Sequence, residues 1–501
     1  MKLHLATGAS ALALAAIPAP ALAQHAGHHM PAPAPAPAST PTPAPAEGDH
    51  SGHAGHTPVP QPAAEPLAGA VVPPLDPVDH SAMDHGAADP HAGHQAQTGS
   101  TTAAGHGDHS VMAGALGPYP MTRDASGTAW QPDTSEHMGI MRRVGDWTLM
   151  GHGMLNLVYD RQGGPRGDAM TFVSGMLMGM AQRPVGNGTL QFKAMLSPDP
   201  LMGKRGYPLL LASGETADGV EHLVDRQHPH DLFMELSGSL SQSIGTNRSV
   251  FLYGGLPGEP AFGPPAFMHR EAVMDSPEAP ISHHWLDSTH ISFGVLTAGV
   301  VLDRVKLEVS RFNGREPDQR RYNIETGPLD STAVRLSWNP ANTLSLQGSW
   351  GHFEEPEQLE PGVDQKRLSA SALYAREVAP GLKLTGTLAW GRKSIRHHGE
   401  WQRDDAFVAE LGLKRGPWTI FSRGEMTENR ELLESEDEEH GPAFRVGKVS
   451  VGAIRDVRLA EHLSLGAGGL VALNFVPDAL RDAYGSSNPL GAMAFVRLKL
   501  D

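Results

Sequence analysis

From about residue 144 to the end of the chain, apolar side chains recur at every second position in short runs. In Trp147-Leu149-Gly151-Gly153-Leu155-Leu157-Tyr159 one face is apolar and closes on an aromatic, while the opposite face carries Met150, His152, Met154 and Asn156. The same division recurs in Leu232-Met234-Leu236 against Glu235-Ser237-Ser239, and in Leu344-Leu346-Gly348-Trp350 against Ser345-Gln347-Ser349. It returns in Leu382-Leu384-Gly386-Leu388-Trp390 against Lys383-Thr385-Thr387, and in Ala492-Ala494-Val496-Leu498-Leu500 against Arg497-Lys499. A period of two is that of a β-strand with unlike faces. About sixteen such segments (14–16) can be counted, and their connections alternate in length. Short ones fall near 183–187, 242–248, 302–304, 339–342, 377–380, 415–416 and 457–461. Long ones fall near 198–230, 256–287, 313–330, 353–366, 392–404, 426–445 and 476–488. Short periplasmic turns and longer outer loops mark a transmembrane barrel. The pattern therefore predicts an all-β fold, an antiparallel transmembrane β-barrel of about 16 strands over residues 144–501 in the outer membrane of a Gram-negative bacterium.

The chain ahead of the barrel is of a different kind. Residues 24–118 are dominated by Ala, Pro, Gly, His and Ser, as in PAPAPAPASTPTPAPA (31–46), with almost no aromatic or β-branched residue. Such a composition cannot bury enough apolar surface to offset chain entropy. It predicts a disordered, partly polyproline periplasmic tail, followed by a periplasmic lead-in over 119–143. Residues 1–23 read as a secretory signal: Lys2, an apolar run over 9–19, and Ala21-Leu22-Ala23 before Gln24. That run is too short to span a bilayer, and no other stretch reaches the roughly 18–20 apolar residues of a membrane helix. The absence of Cys excludes disulfides, thiolate metal sites and a lipid-modified N-terminus. A formal charge of -16 argues against nucleic acid as a partner.

The tail histidines repeat an H-x-x-H spacing: His25, His28, His29, His50, His53, His56, His80, His85, His91, His94, His106 and His109. Asp49, Asp79, Asp84 and Asp108 add carboxylates, Met30, Met83 and Met112 add thioethers, and no Lys or Arg occurs from 24 to 122. Imidazole and carboxylate suit divalent copper or zinc, and thioether suits monovalent copper. The expectation is several weak sites that hold copper ions, or another transition metal, exchangeably; the alternative is a merely soluble spacer.

A signal peptide, a His/Met-rich region with MDHG (83–86) and HAGH (91–94), and a barrel of this size resemble the copper-resistance B-type outer-membrane proteins of Gram-negative bacteria. The stretches RQHPHDLFMEL (226–236), GLPGEPAFGPPAFMHR (255–270) and ISHHWLDSTHISFG (281–294) are more similar to an uncharacterised outer-membrane barrel family that tends to accompany heavy-metal resistance genes. The first resemblance is architectural; the second covers most of residues 135–350. Together they imply copper handling at the outer membrane, and they assign no site residues.

Two groups of candidate ligands follow from strand parity. If the apolar face meets lipid, Met150, His152 and Met154 point into the lumen, as do Met176, Met178 and Met180 on the next strand, Met195 on the third and Met493 on the last. Such a row suits a soft cation, or it is flexible filler beside an inward loop. The second group lies at the ends of neighbouring strands: His228 and His230 with Asp231, then His283, His284 and Asp287 with His290. The loop 256–287, rich in Pro and Gly with Phe262, Phe267, Met268 and His269, is apolar enough to pack inside the barrel mouth. Its histidines are either metal ligands or structural hydrogen-bonders. The acidic run Glu428, Glu431, Glu434, Glu436, Asp437, Glu438, Glu439 and His440 reads as a solvated outer loop. No Ser sits on a nucleophile turn, so no catalytic residues are expected and the chain is not read as an enzyme. The reading is a barrel with a metal-capturing tail that supports sequestration or export of copper, with lipid, metal ions and periplasmic metal-handling proteins as partners. The alternative is a passive porin or structural barrel whose tail chelates incidentally.

Overall fold

The computed structural model describes residues 112–136, 139–397, 400–433 and 441–501. The expected signal peptide, the tail up to residue 111 with its histidines, Met30 and Met83, and the acidic stretch 434–440 lie outside the described residues.

The strands are β1 (Ile140–Val144), β2 (Trp147–Gln162), β3 (Ala169–Val185), β4 (Gly188–Leu196), β5 (Tyr207–Thr216), β6 (His222–Gln227), β7 (Phe233–Gly245), β8 (Arg248–Gly255), β9 (Val295–Leu302) and β10 (Val305–Phe312). They continue with β11 (Ser331–Ala341), β12 (Leu344–Phe353), β13 (Gln365–Ala379), β14 (Leu382–His397), β15 (Glu400–Arg415), β16 (Trp418–Asn429), β17 (Phe444–Ala460), β18 (Leu463–Phe475) and β19 (Leu490–Leu500). The main sheet has 17 strands, and all of them but the short β1 form one ring of antiparallel neighbours. β19 closes it on β2, pairing Leu500 with Gly153 and Gly491 with Gln162, and β1 continues the same edge by pairing Ile140 with Gly151. The fold is thus a closed 16-strand antiparallel barrel, and within that ring each strand pairs on both sides.

Parity assigns the two faces. Leu155, Leu157, Tyr159, Leu177, Val250, Leu388, Phe407 and Val496 are exposed on the outer wall, while their alternates are buried inside. Trp338 and Trp418 lie near the short-turn end, and Tyr159, Trp350 and Trp401 nearer the long-loop end. An apolar outer band flanked by aromatics is the surface a bilayer requires of a barrel. Leu157 sits mid-strand, 55% exposed, beside Val496 and Val173. Leu157→Arg should cost about 2–4 kcal/mol, seen as a lower urea midpoint for unfolding from lipid vesicles. A cost below about 1 kcal/mol would move this residue away from the bilayer centre.

The lumen is filled from both ends. Residues 112–136 enter at the short-turn end, where Thr134 N donates to Asn342 O and Arg123 to Asp303 O. Barrel side chains hold their backbone: Ser241 Oγ donates to Ala115 O at 2.8 Å, Ser249 Oγ to Leu116 O at 2.6 Å, and Lys306 to Thr128 O. Trp130, Tyr119, Leu116 and Ala115 pack on Phe251 and Val301. Residues 112–136 run as one continuous inner segment across the expected boundary between tail (to 118) and lead-in (from 119). Regular pairing also begins earlier than expected, at Ile140.

From the long-loop end, residues 256–294 fold inward around Arg270, fully buried, whose guanidinium donates to both oxygens of Glu410 on β15 at 2.8 Å. Ser349 Oγ accepts from Gly263 N at 2.9 Å. Gly263 has φ +75°, and a Cβ there would lie 2.0 Å from Leu286 O, so the turn admits only glycine. The hairpin β5–β6 covers this mouth with Leu209, Leu210 and Leu211, and Tyr207 stacks on Phe172 at 4.5 Å. One expected loop is absent. Strands β14 and β15 run through 392–404 with only residues 398 and 399 between them, and Arg392, Arg403 and Asp405 belong to the paired strands.

Candidate metal centre

The sequence HPHD places His228 and His230 just beyond β6, and α1 (His283–Leu286) carries His283 and His284. His290 follows one turn later. Because the loop 256–294 folds inward, these five rings meet in the outer half of the lumen and all are buried. Ring centroids lie 5.1 Å apart for His230–His290 and for His283–His290, 5.6 Å for His228–His284 and His283–His284, 6.0 Å for His228–His283 and 6.4 Å for His228–His230. Phe267 closes one side, 5.7 Å from His283.

Every one of the five rings is held by Nδ1. His230 meets Asp199 at 2.7 Å, His283 meets Asp287 at 2.8 Å, His284 meets Glu316 at 3.0 Å and His228 meets Glu215 at 3.2 Å. His290 Nδ1 lies 2.7 Å from the backbone carbonyl of Asp287. A carbonyl only accepts, so His290 carries its proton on Nδ1 and presents a lone pair at Nε2. Nε2 of His228, His230, His283 and His290 is buried with no hydrogen-bond partner. Four such atoms on neighbouring rings are costly for a structure that merely packs, since buried polar atoms are normally paired. An Nδ1–H held by a carboxylate or carbonyl, with Nε2 left open, is the arrangement that orients a histidine toward a metal.

The electrostatics favour the neutral form of three of these rings, His228, His283 and His290. Burial lowers the pKa of His228, His283 and His290, and for His228 and His290 the neighbouring imidazoles and, for His228, Arg321 push the same way. Neutral imidazole is the ligating form. Burial also pulls His284 down, but the Glu316 carboxylate outweighs it and raises the pKa. His284 therefore belongs to the site's support: its ring fits only because Gly214 lacks a side chain, a Cβ there lying 2.5 Å from Nε2. Asp287 is ionised well below the usual range despite burial, because Arg270 and His283 surround it.

Among the described residues, the group of three whose donor atoms already lie within 4.8 Å of one another is His352, Glu354 and Asp364, on the exposed outer end of the wall. The lumen imidazoles are set more openly, with no three of their donor atoms within 4.8 Å of one another, so the rings would have to draw together around an ion.

The inward methionines form a second group. Cross-strand register sets Met150 opposite Met180, His152 opposite Met178, Met154 opposite Met176, and Met178 opposite Met195. Met493 faces inward as expected but at another height, opposite Asp160 among Val158, Phe172 and Phe495, so it does not join the row. Met234, expected on the lipid face, is 1% exposed and packs with Met154, Met176 and Met195. An irregularity in the β4–β7 register beside it turns both Met234 and Glu235 inward. Met112, expected as a tail ligand, packs with Met121 against Met150 and Met180.

No family model and no curated protein matches the chain. Among solved structures it is similar to OmpT of Vibrio cholerae (8% identity over 72% of this chain and 100% of that one, TM-score 0.41). It is also similar to OmpF of Salmonella typhi in complex with daunomycin (9% identity, 72% and 100%, TM-score 0.45) and to a porin (13% identity, 70% and 100%, TM-score 0.38). The barrel itself rests on the strand pairing described above.

Proposed function

We propose that this is an outer-membrane protein that binds a transition-metal ion, copper or zinc, inside its lumen and takes part in its sequestration or export. The observation that carries the reading is the set of four buried Nε2 atoms without partners while each Nδ1 is held. Imidazole donors in a neutral, water-poor pocket suit divalent copper and zinc. The His-rich tail would collect the same ions by its H-x-x-H repeats, and the resemblance to copper-resistance barrels favours copper. His228, His230, His283 and His290 would hold the ion, and Asp199, Glu215 and Asp287 would orient them.

The test separates lumen from tail by pH. Tail imidazoles with an ordinary pKa near 6.5 lose ligands to protons as pH falls through that value. Burial lowers the pKa of His228, His283 and His290, so these rings have no proton to lose on binding and the lumen site loses less affinity than the tail between about pH 7.5 and about pH 6. With full-length protein in detergent at about pH 6, competition against a chelator should leave one Cu²⁺ bound. His283→Gln with His290→Gln should release it, with heat-modifiable gel mobility unchanged. Equal retention by both proteins, or no retained ion, would overturn the reading.

A further inference from the structure

The imidazole cluster leaves a second chemically distinct region of the lumen unexplained. A cavity of about 80 Å³ lies in the short-turn half, walled by thioethers from separate parts of the chain. Met121 comes from the inner segment, Met150 from β2, Met180 from β3 and Met274 from the folded-in loop. Met121, Met150 and Met180 are 2%, 4% and 7% exposed and pack on one another. His269, on the same wall, has a buried Nε2 without a hydrogen-bond partner.

Harder donors also reach this wall, but their charges are already engaged. Asp124 accepts from Tyr119 Oη at 2.7 Å, Glu235 pairs with Lys193 at 3.2 Å, and Glu271 pairs with Lys383 at 2.5 Å. Glu136 lies 2.5 Å from Lys414. The uncharged soft donors on this wall are the thioethers and the His269 imidazole. Gln191 Nε2 donates to Met180 Sδ at 2.9 Å, which fixes that sulfur facing the interior and leaves its second lone pair. Ordinary packing does not require three fully buried thioethers to converge where Leu would fill the same volume with a better-defined rotamer.

We infer that Met121, Met150 and Met180, with the imidazole of His269, form a binding site for a soft monovalent cation, the class of Cu⁺. Thioether coordination favours monovalent over divalent copper and does not compete with protons. The site is complete only when the segment 112–136 is seated, because that segment supplies Met121. It shares no donor with the imidazole cluster, so the two stand or fall separately. The lumen then holds a soft site toward the short-turn end and an imidazole site toward the long-loop end.

The probe is Ag⁺, a redox-stable cation of the same class, added to full-length protein with ¹³C-methyl-labelled methionine. The single variants Met121→Leu, Met150→Leu and Met180→Leu assign three methyl resonances, and near-equal volume preserves packing. Saturating Ag⁺ should shift all three together at one equivalent, and combining the three substitutions should weaken that binding at least 100-fold. The triple variant should keep its heat-modifiable gel mobility, which reports that it is folded whether or not the imidazole cluster holds an ion. If Ag⁺ shifts only other methionine signals and leaves these three unmoved, the site does not exist. If they move only at millimolar Ag⁺, packing alone explains the cluster.

Discussion

Asp287→Ala should destabilise the folded barrel by about 3–5 kcal/mol and weaken metal retention at the imidazole cluster about 10–100-fold. The residue holds two functions at one point. Its Oδ2 accepts from Arg270 at 2.5 Å, and its Oδ1 accepts from His283 Nδ1 at 2.8 Å. Arg270 is fully buried and anchors the inward loop to Glu410. Removing one of its two carboxylates leaves a guanidinium that water cannot reach and that is only half compensated. The loss of affinity has a separate origin: His283 loses the acceptor that sets its tautomer. His290 bonds to the backbone oxygen of residue 287 and keeps its anchor. Urea unfolding without metal measures the first effect, and chelator competition at a urea concentration where both proteins are folded measures the second. Unchanged affinity in a folded Asp287→Ala protein would show that its carboxylate does not orient a ligand.

Trp130→Ala should unseat the inner segment. Trp130 is 3% exposed, lies edge-on to Tyr119 at 5.1 Å, and has the charges of Arg123 and Lys306 over its ring at 4.8 and 4.9 Å. Truncating a buried aromatic of this size costs about 3–5 kcal/mol, which raises the undocked fraction by roughly a hundredfold or more. The sequence provides a clean readout, since Arg123 is the first trypsin site after the expected signal peptide. In the native protein that side chain is 4% exposed and clamped on Asp133 by bonds of 2.7 and 2.9 Å. Trypsin should release the chain up to Arg123 rapidly from the variant and slowly from the wild type. Equal rates would mean that Trp130 does not hold the segment.

The sequence made some of this legible and hid the rest for physical reasons. Alternation against an apolar wall was sufficient to place Met150, His152, Met154, Met176, Met178 and Met180 inside, because a strand has only two faces. It failed at Met234, where an irregular register defeats a strict period of two. The loop expected over 392–404 was misread because RKSIRHHGEWQRDD is charged on both parities, although its backbone pairs almost to the tip. The histidine pairs were visible, but their convergence depends on Arg270 finding Glu410, 140 positions away. Nothing in the composition around Met112 and Met121 distinguishes a segment that docks from one that does not. That assignment required the carbonyls of Ala115, Leu116 and Thr128 to be seen meeting Ser241, Ser249 and Lys306.

The two fillings of the lumen also touch. Ser126 Oγ on the inner segment accepts from Ala266 N on the outer loop at 2.9 Å, and Gly127 lies against Glu259. Thermodynamic reciprocity follows from such contact: if an event on one side changes the hold of the other by some factor, the reverse event returns the same factor. An ion that tightened the outer loop and a ligand that seated the inner segment would then be partners in one equilibrium. What one end of the lumen held would set, through Ser126 and Ala266, how firmly the other end held its own.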